Sequence, residues 1–433
     1  MNGFEARKNF LGWWVEPPGE AFGEGQSVLV ANGKYLVNWD PLSAGEENLL
    51  ELLIKKFREN VKESEMQNAD NVRKKLILVL REICETNKYI LDRKKAERLI
   101  SLAVSDVYGY GVFDLVLADD SLEEISVIGL NRPIYVFHRS EGWLKTNCFI
   151  EKEEFAINAI NKMARPLGRR VTYQNPRLNA TLPSGARLHA SILPITLNEV
   201  EITIRKFKQN PLSIADLITN KTVSSEVASF LWMVSFGDKS VLVCGNSGSG
   251  KTTTLNALFS FIPMQDRVVI VEETPEINIP HPHQVKMVAN DELGVHLKDL
   301  VKDTLRMRPD RVVVGEVRSS GEVEALCDSL LSGQARGTYA TFHAGSSEEA
   351  IMRLQALGMR REDLGAIDLL LVQRRIPLYS APEKKQYEVR RITELVEIAK
   401  NKRRQLFLYN PKKDSLEKKN DSMLLEQVCE NYG

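Results

Sequence analysis

Hydrophobic residues early in the chain recur with the period of a helix. Leu49, Leu50, Leu53, Ile54 and Phe57 share one helical face, and Leu76, Ile77, Leu80 and Ile83 repeat the spacing. Another apolar-periodic stretch runs from Arg93 to Tyr108. Three amphipathic helices with short connections predict a largely helical N-terminal domain over residues 1–108. The first 45 residues, with Trp13, Trp14 and Trp39 among Pro and Gly, follow no clear period.

Beyond residue 108 the pattern changes. Glu124–Ile128, Pro133–His138, Arg187–Ile192 and Glu201–Lys206 are short runs rich in Ile and Val, which read as strands. A helix around Lys152–Ala164 interrupts them, so an α+β domain is expected over 109–208. The stretch QNPLSIADLITNK, with Pro211 as breaker, reads as a linker within 209–222. From 223 to 410 the apolar runs SVLVC, RVVIVEE, RVVVGE and TYATF alternate with helical stretches. Strands apolar on both faces belong in a parallel sheet covered by helices on both sides. The tail, 411–433, is polar and is expected to be mobile.

Composition narrows the class without changing that layout. The 433 residues carry 58 Lys+Arg and 58 Asp+Glu, so the charge balances to zero. A balanced chain is a poor coat for nucleic acid, although a local basic face remains open. With 43% hydrophobic and 27% charged residues the composition is globular. No apolar run approaches the roughly 18 residues that cross a bilayer, and the first residues lack a leader-peptide pattern. The five cysteines form no CxxC, which disfavours a disulfide scaffold and a zinc ribbon. The expectation is a soluble, multidomain, cytoplasmic protein.

The strongest chemical signal is GNSGSGKT: Gly245, Asn246, Ser247, Gly248, Ser249, Gly250, Lys251 and Thr252. It follows a predicted strand and precedes a helix that begins near Thr253, the context that a phosphate-binding loop requires. Backbone N–H groups of Gly248, Gly250 and Lys251 converge on phosphates, and side chains at the glycines would block the approach. Lys251 supplies a charge to the β- and γ-phosphates, and the Thr252 hydroxyl is placed for Mg²⁺. A chance Gly/Ser turn is a poor explanation of the whole pattern. A nucleoside triphosphate, ATP, is the expected ligand.

Acidic partners decide between binding and turnover. Glu316 closes a buried strand at its carboxyl end, where α/β sheets place ligands, and is the candidate to handle Mg²⁺ and the attacking water. Asp310, at the other end, should be structural. Glu272 and Glu273 end the preceding strand at the same edge, with Glu276 just beyond. Carboxylates converging on a phosphate site call for a cation, which argues for Mg²⁺ held by Thr252 and Glu316. Any one of these glutamates is otherwise a solvated loop charge. His343 falls on this edge as a γ-phosphate sensor or relay, against the commoner role of a hydrogen-bonded structural histidine. His281 and His283, with no Cys nearby, make a weak metal site.

In order, the chain presents Gly245–Thr252, IVEETPEI, LRMRPDRVVVGEVR and GTYATFHA. This series resembles the secretion-superfamily ATPases of type II secretion, type IV pili, the archaellum and type IV secretion, whose corresponding parts are called Walker A, Asp box, Walker B and His box. RRVTYQNPRLNATLPSGARLHA and EITIRKF look like that family's N-terminal half, so the resemblance covers about residues 105–400. The wording SGQARGTYATFHA looks most like the archaeal pilus and archaellum branch. Glu273 replaces the usual Asp of the Asp box. The tetracysteine zinc insertion of the bacterial pilus-assembly and type II branches is missing, which implies the zinc-free branch.

The resemblance implies a multidomain fold: a helical N-terminal domain, an α+β middle domain and an α/β RecA-like P-loop ATPase domain. It also implies a homo-hexameric ring with the nucleotide between the middle and P-loop domains. Arginines of the middle domain then approach the phosphates. The matching candidates are Arg187 and Arg205, with Arg177 behind them; each is otherwise a surface or packing arginine. Arg318 is a candidate for signalling nucleotide state. The implied partners are a polytopic membrane platform protein and a pilin-like or secreted protein substrate, at the cytoplasmic face of the cell membrane, with no nucleic acid.

A second class stays in view: a RecA-like nucleic-acid-dependent ATPase, since recombinases and some helicases share the P-loop sheet. It would want a basic track with stacking aromatics. The basic clusters Lys384–Lys385, Arg390–Arg391 and Lys402–Arg404 are instead mixed with Glu383, Glu388, Glu394 and Glu397. A scaffold that binds nucleotide without turnover is the weakest reading, because the acids and the histidine are present.

Overall fold

The computed structural model describes residues 11–20, 22, 27–61, 68–206, 211–290, 293–380, 385–399 and 402–432. The chain divides into two compact units, Met1–Lys208 and Gln209–Gly433.

In the first unit the strands β1 (Trp13–Val15), β2 (Val28–Ala31) and β3 (Lys34–Val37) precede the helices α1 (Ala44–Asn60), α2 (Ala69–Asn87), α3 (Arg93–Val107) and α4 (Val112–Leu117). Then come β4 (Leu122–Val127), β5 (Pro133–His138), β6 (Gly142–Ile150), α5 (Glu153–Ala164), β7 (Arg177–Thr181), β8 (Arg187–Ile192) and β9 (Val200–Arg205). The helices form where the apolar spacing placed them. Ser43, Asn68 and Asp92 cap α1, α2 and α3 by accepting a backbone N–H of the first turn. Leu53, Ile54, Phe57, Leu76 and Ile83 are fully buried.

The boundary expected at residue 108 does not separate two cores. One apolar cluster runs from Leu11 through the helices to Ile204. The early Trp/Pro/Gly region joins the same sheet: β1 pairs with β6, and β3 lies between β2 and β6. Trp13 is buried beside Trp39 and Phe155. These segments are too short for a period to show.

The second unit contains α6 (Ile214–Thr219), α7 (Ser225–Phe236), β10 (Val241–Gly245), α8 (Lys251–Leu258), β11 (Val268–Glu272), β12 (Gln284–Val288), α9 (Leu297–Thr304), β13 (Arg311–Val317) and α10 (Ser320–Leu331). It continues with β14 (Gly337–Phe342), α11 (Ser347–Ala356), β15 (Leu369–Ser380), β16 (Lys385–Ala399), β17 (Lys402–Asn410), β18 (Ser415–Lys418) and α12 (Met423–Tyr432). The sheet order is β12-β11-β13-β14-β10-β15-β16-β17-β18. Pairings are parallel from β12 to β15, as the apolar runs predict, and antiparallel from β15 to β18. Alternate residues of β10 face opposite layers. Val241 and Val243 pack in a core with α7 and α8, whereas Leu242 and Cys244 pack with α9, α10 and α11.

Two expectations need correction. Within 209–222, residues 209–210 lie outside the described residues, and the remainder carries α6 rather than bare linker. Ser213 and Asp216 cap α6 reciprocally, and Leu217 is buried in the second unit's core. The polar tail is folded: β18 pairs with β17, and Leu424 and Val428 of α12 are buried. Its anchor is Glu397, 1% exposed, which accepts from Ser422 Oγ at 2.8 Å and from the Met423 and Leu424 amides at 3.2 and 3.1 Å. An acidic group at a helix N-terminus meets orphan N–H groups and a favourable dipole.

Candidate nucleotide site

β10 ends at Gly245 and α8 begins at Lys251, so Asn246–Gly250 turn the chain at the carboxyl edge of the sheet. Gly248 and Gly250 have φ of 72° and 94°, which favours glycine. A Cβ at Gly245 would meet the Gln373 carbonyl oxygen at 2.3 Å, and one at Gly250 would meet Gln373 Nε2 at 2.8 Å. Ser249 is fully buried, and its hydroxyl has no hydrogen-bond partner. A tight loop with an orphaned hydroxyl fits a polyphosphate.

Lys251 is buried and donates to the Gly245 and Asn246 carbonyls at 3.0 and 3.4 Å. Its Nζ lies 3.9 Å from Glu316 Oε1. Burial lowers the Lys251 pKa, and the Glu316 carboxylate opposes that shift. The Thr252 hydroxyl donates to Glu276 Oε2 at 3.1 Å, while Thr253 follows in the first turn of α8.

Glu316 is the hub. Its Oε1 lies 2.5 Å from His343 Nε2, and its Oε2 accepts from two nitrogens of Arg318. Burial, and then Lys251, push the His343 pKa down, and the Glu316 carboxylate opposes that shift. Arg318 also reaches Glu273 at 2.8 Å. Glu272, 2% exposed, accepts the Glu276 and Ile277 amides at 2.8 and 2.9 Å. Burial nevertheless raises its pKa to about 7. Asp310 accepts the Arg267 amide at the opposite end of β13.

These contacts bring together the residues Gly245 to Thr253, Glu272, Glu273, Glu316 and His343. Arg187 and Arg205 belong to the first unit, where they face each other across the β8–β9 ladder, and Arg205 Nε lies 3.4 Å from Glu124. Arg177 begins β7 in that sheet. His281 is fully buried with its ring against Phe259, a packing role, and the described residues hold no cluster of three His, Cys, Asp or Glu arranged for a metal. Sequence reasoning missed Gln373 and Arg390, which touch the phosphate loop from β15 and β16. The available signal for Gln373 was a lone polar residue closing the apolar run Leu369–Val372.

The sequence profile described as Type II/IV secretion system protein matches residues 150–416, more than half of the chain. This chain belongs to that family. The secretion-family match takes in the phosphate loop, Glu316, His343, Arg187 and Arg205. An uncharacterized Methanocaldococcus jannaschii protein, MJ0781, is 41% identical over 234 residues, which are 52% of this chain and 32% of that protein. The chain therefore spans about a third of that relative's length. A putative conjugal transfer protein of Mycobacterium tuberculosis, MT3759, is 30% identical over 61% of this chain and 76% of its own length. Among solved structures, the Legionella pneumophila ATPase DotB is similar at 17% identity and a TM-score of 0.47, over 64% of this chain and 77% of that one.

Proposed function

We propose that this chain is an Mg²⁺-dependent ATPase that works as a homo-hexameric motor for assembly of a pilus- or archaellum-like filament or for protein secretion. The observation that carries this reading is Glu316 beside the phosphate loop, held by His343 and Arg318 and 3.9 Å from Lys251. The reaction is in-line attack of water on the γ-phosphate, driven by positioning and charge stabilisation. Loop amides and Lys251 bind the phosphates. Glu316 orients the water, and His343, with Nε2 2.5 Å from Glu316 Oε1, holds that carboxylate in place. Arg318 ties that carboxylate to Glu273, so a shift at one acid is felt at the other. Thr252, Glu276 and Glu316 are the residues to hold Mg²⁺, which when bound offsets charge on the β- and γ-phosphates.

Arg187 and Arg205 are the proposed arginine fingers. They stand directly opposite each other on the β8–β9 ladder, so one anion can take both guanidiniums, with Arg205 leaving Glu124 for it. The proposed partners are a polytopic membrane platform protein and a pilin-like or secreted substrate, with the ring at the cytoplasmic face of the membrane. No helix among the described residues is long and apolar enough to cross a membrane. A nucleic-acid-dependent ATPase is less well supported, because three arginines of the basic clusters are paired with acids. Arg391 pairs with Asp414, Arg403 with Glu394 and Arg404 with Glu397.

The test is phosphate release by the purified chain with and without Mg²⁺, together with light scattering. Turnover that needs Mg²⁺, is lost in Lys251→Ala and is unchanged by added DNA is expected, with hexamers favoured by a non-hydrolysable ATP analogue. No nucleotide binding by the wild-type chain, or monomers alone at full activity, would overturn this reading.

A further inference from the structure

The phosphate loop must point its N–H groups inward, and its carbonyl oxygens need partners elsewhere because they would repel an anion. Those partners are identifiable. Lys251 and the Ser249 amide hold the Asn246 carbonyl, and the Thr254 amide holds that of Gly250. The Gly248 and Ser249 carbonyls, which flank the amides expected on the phosphates, are held from outside the loop. Arg390 Nε of β16 donates to Gly248 O at 3.1 Å, and Gln373 Nε2 of β15 donates to Ser249 O at 2.7 Å.

Gln373 is placed for this by two features. It is 1% exposed, and its Oε1 accepts from Thr254 Oγ1 at 2.5 Å, which fixes the amide with Nε2 toward the loop. The ladder also shifts register between Val372 and Gln373, where β15 pairs with β16. Such an irregularity re-aims a side chain. Beyond it, Arg375 stands directly opposite Arg390, and Arg375 lies 3.3 Å from where a Gly248 Cβ would be. Two opposed arginines at one loop are unfavourable by themselves. Glu388 offsets one, 3.4 Å from Arg375, and the Gly248 carbonyl takes up a donor of the other.

We propose that Gln373 and Arg390 are positioning residues that hold the phosphate loop in its anion-binding conformation, making the β15–β16 hairpin the outer wall of the nucleotide site. The proposal rests on the nucleotide-binding reading above. It assigns the hairpin to ground-state phosphate binding, so ADP and ATP should be affected alike, and the chemical step much less.

The decisive variant is Gln373→Glu. It keeps the shape and the acceptor toward Thr254 but presents an oxygen, in place of a donor, to the Ser249 carbonyl. The measurements are fluorescent-ADP and ATP-analogue binding, KM and kcat, and thermal melts without nucleotide. The expected result is at least about a tenfold loss of affinity for both nucleotides, with kcat at saturation within about threefold of wild type. Arg390→Ala should weaken both affinities in the same way, and Arg390→Lys should recover part of the loss by restoring a donor. If the nucleotide-free melt of Gln373→Glu collapses, the Arg390 pair decides: equal affinities in Arg390→Ala and wild type overturn the proposal. A fall in kcat at unchanged affinity overturns it too. Wild-type protein that binds no nucleotide defeats the functional reading instead, so the two failures are distinguishable.

Discussion

One strand carries a charged cluster at each end, and the two clusters are built differently. At the amino end of β13, Arg311 is 1% exposed and lies 2.9 Å from Asp266 and 2.5 Å from Asp238. Tyr339 packs in the same layer, fully buried, with its pKa pushed up to about 12 by burial. At the carboxyl end, Glu316 meets Lys251, Arg318 and His343, and the Arg318 side chain is half exposed. The first cluster is closed and has its partners inside the fold. The second is open, with two cations and an imidazole gathered on one carboxylate. A closed cluster fixes register, whereas an open one can rearrange when a phosphate or a cation arrives.

The largest expected effect breaks the closed cluster. Arg311→Ala leaves the buried Asp266 with only the half-exposed Arg336, 3.8 Å away, and should cost about 3 kcal/mol of stability, the low end of the range for half of a buried pair. Chemical denaturation read by circular dichroism checks this. A change below about 1 kcal/mol would mean that the amino end is no more structural than the carboxyl end.

Next is the open cluster. Glu316→Gln removes the charge with little change of shape, so stability should barely move. Nucleotide binding should persist, while hydrolysis falls at least about 100-fold, or roughly 2.7 kcal/mol of transition-state stabilisation. Equal turnover by variant and wild type would remove Glu316 from the chemistry. The pair of variants makes the comparison quantitative: stability is lost at one end of β13 and rate at the other.

The same contrast explains what the sequence could disclose. The phosphate loop, Glu316 and His343 were legible because each follows an apolar strand at a fixed edge, so local spacing carries the geometry. Gln373 and Arg390 were not, since they reach the loop from 124 and 142 residues away along the chain. No local pattern encodes that pairing. The helix at Ile214–Thr219 is legible in SIADLI, where Ser213 and Asp216 form a reciprocal cap, although Pro211 just before it is also a linker signal. The tail was misread because its anchor, Glu397, lies on β16, and a run rich in Lys and Asp hides two buried apolar positions, Leu424 and Val428.

The smallest effect tests whether Glu272 belongs with the closed or the open cluster. It stands at the active edge, yet it is 2% exposed and its Oε1 is committed to two backbone amides. Burial raises its pKa to about 7 in the folded chain, above the ordinary carboxylate value near 4.3 in an unfolded one. The sign follows from proton counting. Between those two values the folded chain holds a proton that the unfolded chain has released, so stability falls as pH rises through the window and is fully present only below it. A glutamine side chain at this position cannot ionise, and its carbonyl oxygen can still accept both amides. Glu272→Gln should therefore match wild type near pH 4.5 and exceed it by about 2 kcal/mol near pH 8. Melts of both proteins from pH 4.5 to 8 read the difference directly. Parallel curves would show that Glu272 is ionised at neutral pH and belongs with Glu316 among the charged acids of the site.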